Sequence, residues 1–197
     1  MLVLPGMLGT DLSTVPLRRF LTRLGYPVTG WRAGGDVRVA TALAKFMAPA
    51  LHRLTEQHGQ PASVIGWCVG GLYARHLAAS FPDEVRQVIT LGTPFRLSPA
   101  THDLRMPSTA FYSTSEGMVP WRACREQTGA RRDSVGVPSS HLGFGHHPLV
   151  LWAVADRLAQ QRGRWLPFDP PRALRRLYTS EERAGRTRPP TEPARAA

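Results

Sequence analysis

Short apolar runs alternate with longer stretches along this chain, and the longer stretches carry an apolar residue at every third or fourth position. The short runs predict buried strands, and the longer stretches predict amphipathic helices. This alternation predicts an α/β fold: a doubly wound, mainly parallel sheet of about six strands, with helices on both faces and spatial strand order 2-1-3-4-5-6. Expected strands are 1–4, 26–31, 62–67, 85–91, 109–113 and 133–137, and expected helices are 13–24, 37–58, 72–81 and 148–161.

Three local features of the helices can be anticipated. Pro49 should interrupt or kink the helix at 37–58, because a proline ring clashes with the carbonyl four residues earlier. In the helix at 148–161, the spacing of the apolar residues predicts that Trp152 points inward. A further short helix is expected at 171–178.

The composition predicts one globular domain and a different kind of segment after it. The chain has 197 residues, of which 42% are apolar and 20% charged. We expect the domain to cover residues 1–166, and a basic, Pro- and Arg-rich extension, largely disordered, to cover 167–197. No apolar run approaches the ~18 residues of a membrane span and no leader opens the chain, so no stable membrane insertion is expected. Two cysteines predict a reducing, cytoplasmic location.

The net charge of +11 raises the question of nucleic-acid binding. More than half of the excess lies after residue 156, where ten Arg face four acidic residues. The remaining basic residues are scattered, no stacked aromatic residues interleave with the Arg, and no nucleic-acid-binding motif appears. We therefore expect no nucleic-acid partner.

One turn stands out as a candidate for chemistry. The apolar run at 62–67 enters a G-x-C-x-G-G turn, and a helical pattern leaves it. A strand, a sharp turn and a helix form the context of a nucleophile elbow, whose strained backbone lifts the central side chain clear of the sheet. The central residue is Cys68, which becomes the candidate nucleophile. The alternative is an inert, buried cysteine at a strand end.

Two further polar residues follow other predicted strands. Glu116 comes just after the strand at 109–113, and His141 comes just after the strand at 133–137. The carboxyl ends of parallel strands meet at one edge of a sheet, where ligands bind in open α/β folds. Taken alone, Glu116 could be a solvated turn acid and His141 a loop histidine. With Cys68 they follow the chain order nucleophile, acid, histidine, which favours a catalytic triad.

These residues lie in four motifs, G-W-C-V-G-G, L-G-T-P, S-T-S-E-G-M-V-P and S-S-H-L-G-F-G. With them, most of residues 1–161 resembles a small α/β-hydrolase of the bacterial lipase and esterase type. The resemblance implies a carboxylic-ester or thioester hydrolase that forms a covalent acyl-enzyme. Three departures stand out: Cys68 replaces the usual Ser, Glu116 replaces the usual Asp, and the usual amino-terminal hairpin is missing.

The role of each site residue follows from this chemistry. Cys68, at a helix amino-terminus and beside an imidazole, should be held as a thiolate that attacks an acyl carbon. His141 would act as general base and then as general acid, and Glu116 would orient its ring. The backbone N–H groups of Met7 and Val69 are the candidate oxyanion hole.

No metal or cofactor is expected. His146 and His147 are adjacent, so they point in divergent directions, and no Cys or carboxylate lies at ligand spacing from them. The site should bind a small-molecule acyl ester or thioester. Only 25 positions separate Leu91 from Glu116, which leaves no room for a large cap.

Two other functions remain open from the sequence. The chain could be an acyltransferase or thioesterase-like enzyme of secondary metabolism, because a thiol nucleophile suits transfer between thioesters. It could also be a non-catalytic protein with a hydrolase fold that binds a ligand or a partner. The sequence does not indicate an oligomeric state.

Overall fold

A computed structural model of the chain describes residues 1–6, 11–31, 39–98, 104–127 and 129–178. Within them, six strands form one sheet in which every neighbouring pair is parallel. The order is β2-β1-β3-β4-β5-β6, which confirms the predicted fold class and strand order. The strands are β1 (Leu2–Leu4), β2 (Thr29–Gly30), β3 (Ala62–Trp67), β4 (Val85–Leu91), β5 (Ser108–Tyr112) and β6 (Arg132–Gly136).

The interruption predicted at Pro49 takes the form of a π turn, Leu43–Met47, between two helices. Pro49 lies at the start of the helix that follows the π turn and, as a proline, has no backbone N–H to donate. In a continuous α-helix its ring would crowd the carbonyl of Lys45, four residues earlier, and the wider π turn avoids this clash. The helices are α1 (Val15–Arg23), α2 (Val39–Ala42), α3 (Ala48–His58), α4 (Val69–Ser80) and α5 (Pro148–Ala159).

Helices cover both faces of the sheet, as predicted. Leu2 and Leu4 of β1 pack in a cluster with α3 and α4, whereas Val3 and the preceding Met1 pack in a second cluster with α1 and α5. The central strands β3 and β4 are almost entirely buried, as parallel strands between two helical layers are. Among the described residues, no helix has the length and apolar character needed to cross a bilayer.

Residues 167–178, which the sequence assigned to the extension, pack against α5. The Tyr178 hydroxyl donates to the carbonyl of Leu149 (2.9 Å), and the ring of Phe168 lies 4.9 Å from the Tyr178 ring. Trp152 contacts both rings and is 36% exposed, so the prediction that it points into the core is wrong. In place of the short helix expected at 171–178 there is a 3₁₀ turn, Arg175–Leu177.

Candidate active site

Cys68 joins β3 to α4 in a strained backbone conformation. Its φ of 53° and ψ of −122° lie in a region of backbone conformation that is disfavoured for residues other than glycine. The glycines around it are required by close packing, because a Cβ on Gly66 would lie 2.3 Å from the carbonyl oxygen of Gly70. A Cβ on Gly71 would lie 2.0 Å from Oγ1 of Thr93. The turn therefore has the geometry expected of a nucleophile elbow.

The structure brings the predicted acid and histidine together. Nδ1 of His141 lies 2.9 Å from Oε2 of Glu116, and both residues are buried, with 3% and 6% exposure. The other carboxylate oxygen, Oε1, accepts the backbone N–H of Val119 (3.0 Å). Each oxygen of the buried carboxylate thus has a donor, which fixes its orientation toward the imidazole.

Cys68 forms a second hydrogen bond with the imidazole. A hydrogen bond with Cys68 and a second with Glu116 raise the pKa of His141 to about 9, against the opposing effect of burial. Because Nδ1 faces Glu116, Nε2 is the nitrogen left for Cys68. Both hydrogen bonds therefore favour the positively charged imidazolium, and an imidazolium beside a thiol stabilises the thiolate.

Aromatic side chains hold the histidine loop. The indole N–H of Trp67 donates to the carbonyl of His141 (3.2 Å), and the Phe144 ring meets the imidazole edge-on at 6.3 Å. Sequence reasoning missed the role of Trp67, although the residue precedes the nucleophile directly. Its only signal was a large side chain with a polar group at the end of a buried strand.

Val69 opens α4, so its N–H is one of the first-turn groups that have no acceptor inside their own helix. It lies directly after Cys68, where the sequence placed one oxyanion donor. Met7, the second candidate donor, is outside the described residues and stays a prediction. The segment that leads to it passes close to the nucleophile, because a Cβ on Gly6 would lie 3.1 Å from Cβ of Cys68.

The second thiol, Cys124, is buried in a 3₁₀ turn, Trp121–Cys124, after the acid. Burial raises the pKa of this thiol strongly, and the nearby Glu116 and Cys68 raise it further. Cys124 therefore stays a neutral thiol and differs chemically from Cys68.

The described residues contain no group of three or more His, Cys, Asp or Glu that could hold a metal ion. His147 instead caps α5, where its Nδ1 accepts the N–H of Leu149 (3.3 Å).

Large apolar side chains are exposed near this edge of the sheet. Four of them lie on the segments that follow β1, β4, β5 and β6, and each is between 64% and 78% exposed. We refer to these four as the apolar rim: Leu12, Leu97, Met118 and Leu142.

Solved structures with the same architecture identify the fold. An α/β serine hydrolase homologue from Coxiella burnetii is 15% identical, with a TM-score of 0.62 over 80% of this chain and 84% of that one. The chain has the α/β-hydrolase fold. Two further structures with this fold are a metagenome-derived lipolytic enzyme (14% identity, TM-score 0.63, 79% and 91% coverage) and the thioesterase domain of the curacin biosynthetic pathway (13%, 0.57, 81% and 90%).

Comparison with known sequences gives less information about this chain than comparison with solved structures. No model of a known protein family matches the chain. The pimeloyl-[acyl-carrier protein] methyl ester esterase of Chromobacterium violaceum is 43% identical over 53 residues, which are 26% of this chain. The matched part spans about a fifth (21%) of that curated relative.

Proposed function

We propose that the chain hydrolyses a carboxylic ester or thioester of an acyl-type substrate through Cys68, His141 and Glu116. The observation that carries this proposal is the position of the His141 ring. It forms a hydrogen bond with Cys68, and its Nδ1 lies 2.9 Å from the buried Glu116 carboxylate. Nucleophile, proton carrier and orienting acid are thus connected in one line.

In the first half-reaction, Sγ of Cys68 attacks the acyl carbon and the carbonyl electron pair moves to oxygen. The N–H of Val69 donates to this oxyanion. When the intermediate collapses, the bond from carbon to the leaving oxygen or sulfur breaks. His141 gives its proton to the leaving group, and the acyl group remains on Cys68 as a thioester.

In the second half-reaction, the neutral imidazole of His141 takes a proton from water as the water attacks the thioester. The C–S bond breaks, the acid leaves and the thiolate of Cys68 returns beside the protonated imidazole. Glu116 stabilises the imidazolium in both half-reactions.

The surroundings of the site favour an acyl chain as the substrate group. The apolar rim offers exposed carbon surface on segments that follow four of the strands. Each methylene of an acyl chain that is buried on such a surface contributes about 0.8 kcal/mol. Between β4 and β5 the described residues form only a 3₁₀ turn, Phe95–Leu97, and not a cap. The names of the similar proteins, a lipolytic enzyme, a thioesterase domain and an esterase, agree with this substrate class.

The test is the intact mass of the protein after incubation with p-nitrophenyl esters and N-acetylcysteamine thioesters of two- to eight-carbon acids. The wild-type protein should gain the mass of one acyl group and release free acid. Cys68→Ala should abolish both, whereas Cys124→Ala should behave as the wild type. Acylation that survives in Cys68→Ala would overturn the assignment.

The same experiment separates the alternative functions. Product that carries the acyl group on an added alcohol or amine, instead of free acid, would indicate an acyltransferase. If the wild-type protein gains no acyl group and releases no acid with any reagent, the hydrolase proposal is wrong and a non-catalytic binding protein takes its place.

A further inference from the structure

Arg75 lies two turns into α4 and is completely buried. Its Nη1 contacts Oε1 of Glu126 (2.5 Å) and Oγ of Ser108 (3.2 Å), and the Ser108 hydroxyl also donates to Glu126. The guanidinium stacks over the ring of Phe95, 4.0 Å from its centre. One side chain thus joins four parts of the fold: the elbow helix, the segment after β4, the start of β5 and the segment that ends at Glu126.

Glu126 is the far end of the segment that carries the proposed acid. This acid segment, residues 113–126, leaves the sheet at the end of β5, presents Glu116 to His141 and reaches Glu126 before β6 begins. Midway, Trp121 stacks on Tyr112, with ring centres 5.6 Å apart. Arg75 holds the segment at the end opposite to Glu116.

A buried ion pair is a poor way to gain stability, because removing a guanidinium and a carboxylate from water cancels much of their attraction. Such a pair does fix geometry, since the planar guanidinium bonds only in defined directions. Here those directions run from α4, which begins directly after Cys68, to the segment that carries Glu116. This contact therefore links the helix that follows the nucleophile to the segment that carries the acid.

We propose that Arg75 is a positioning residue for Glu116: by holding Glu126 it fixes the acid segment against the elbow helix, and so fixes the carboxylate against His141. This inference rests on the triad proposed above. Arg75 acts through Glu126 and touches no reacting atom.

The pKa of His141 depends on the position of the Glu116 carboxylate and can therefore be used to follow it. The titratable groups that face the imidazole are Cys68 from the elbow and Glu116 from the acid segment, and Cys124 faces both of those groups. The hydrogen bond from Glu116 is the second-largest cause of the raised pKa of His141. A displaced Glu116 should therefore lower this pKa, whereas a loss of stability elsewhere in the fold should not.

Arg157 provides a matched control. It is also a buried arginine, 3% exposed, that pairs with a carboxylate, Asp156, and lies 5.4 Å from an aromatic ring, that of Phe168. Its other contacts join α5 to the carbonyls of Leu166 and Pro167 and to Asp133 in β6, so none of them reaches the acid segment. Arg157→Lys should cost stability without moving Glu116.

The experiment compares Arg75→Lys, Glu126→Gln and Arg157→Lys with the wild-type protein and with Glu116→Gln. The pKa of His141 is followed by NMR, the melting temperature is recorded, and the acylation of Cys68 is timed at saturating ester. In Arg75→Lys and Glu126→Gln we expect a His141 pKa between those of the wild type and Glu116→Gln. Acylation at saturation should slow about tenfold with unchanged apparent affinity for the ester. The double variant Arg75→Lys/Glu126→Gln should be acylated no more slowly than the slower of the two single variants.

Arg157→Lys should lower the melting temperature and leave both the pKa and the acylation rate unchanged. A wild-type His141 pKa and acylation rate in folded Arg75→Lys, or in Glu126→Gln if the first variant does not fold, would overturn the positioning role. If the wild-type protein is not acylated at all but Arg75→Lys still lowers the His141 pKa, the positioning role holds and the proposed function fails.

Discussion

Acylation of Cys68 would change the proton affinity of His141. In the free protein the hydrogen bond with Cys68 is the largest cause that raises the pKa of His141 to about 9, and Glu116 comes second. An acylated Sγ carries no charge and no proton, so the larger cause disappears and the pKa falls. In the proposed reaction the same imidazole would therefore be an acid while the leaving group departs and a base when water attacks. The change in its role would follow from the acylation of Cys68.

Trp67 offers a test at the scale of one hydrogen bond. Trp67→Phe keeps an aromatic ring but leaves the carbonyl of His141 without the donor that now lies 3.2 Å away. We expect a loss of about 1 kcal/mol in the free energy of unfolding, measured by urea denaturation, and slower acylation of Cys68.

Trp31→Phe is the control for this change. Trp31 is also a buried tryptophan, and its indole N–H has no hydrogen-bond partner in the described part of the chain. Trp31→Phe should therefore lower the free energy of unfolding less than Trp67→Phe does, and it should leave the acylation of Cys68 unchanged. Equal losses in the two variants would show that the bond to His141 contributes nothing.

Strand ends explain how much of the site could be predicted at the scale of elements. Cys68, Glu116 and His141 each follow a strand, and parallel strands bring their carboxyl ends to one edge of the sheet whatever the paths of the loops between them. The contacts of Trp67 and Arg75 depend on the paths of the loops after β5 and β6. Those loops have no periodic pattern, so no sequence rule places their atoms.

Helix faces were harder to predict where a later segment covers them. Periodicity placed Trp152 in the core because it is apolar and lies among apolar neighbours in α5. The structure covers it instead with Phe168 and Tyr178, from a segment whose Pro and Arg content indicated disorder. Composition averages over a segment, whereas two aromatic residues are enough to attach it.

The attachment of residues 167–178 to α5 predicts a measurable stability difference. Tyr178→Ala should lower the free energy of unfolding by about 3 kcal/mol, because a buried ring and its bond to Leu149 are lost. Leu177→Ala changes the neighbouring residue, which is 47% exposed, and should cost under about 0.5 kcal/mol. Chemical denaturation measures both, and equal small losses would show that the segment is not attached in solution.

At the scale of the whole molecule, the residues that stabilise the fold and the candidate catalytic residues lie in different places. The two apolar clusters lie above and below the sheet, and the candidate nucleophile, acid and histidine lie at its carboxyl edge with the apolar rim. The strained Cys68 backbone is tolerated because β3 and α4 pack on both sides of it. The proposed acylation of Cys68 would therefore take place at this edge and leave the core unchanged.

The most direct test of the triad is the pH dependence of the two half-reactions, measured separately by quenched flow and mass spectrometry on one alkyl ester. Acylation should slow as the pH rises through about 9, because His141 loses the proton that the leaving alkoxide needs. Deacylation should instead speed up with pH, with an apparent pKa between about 6.5 and 9, because the acylated Cys68 no longer raises the pKa of His141. Deacylation that is independent of both pH and His141→Ala would contradict the account.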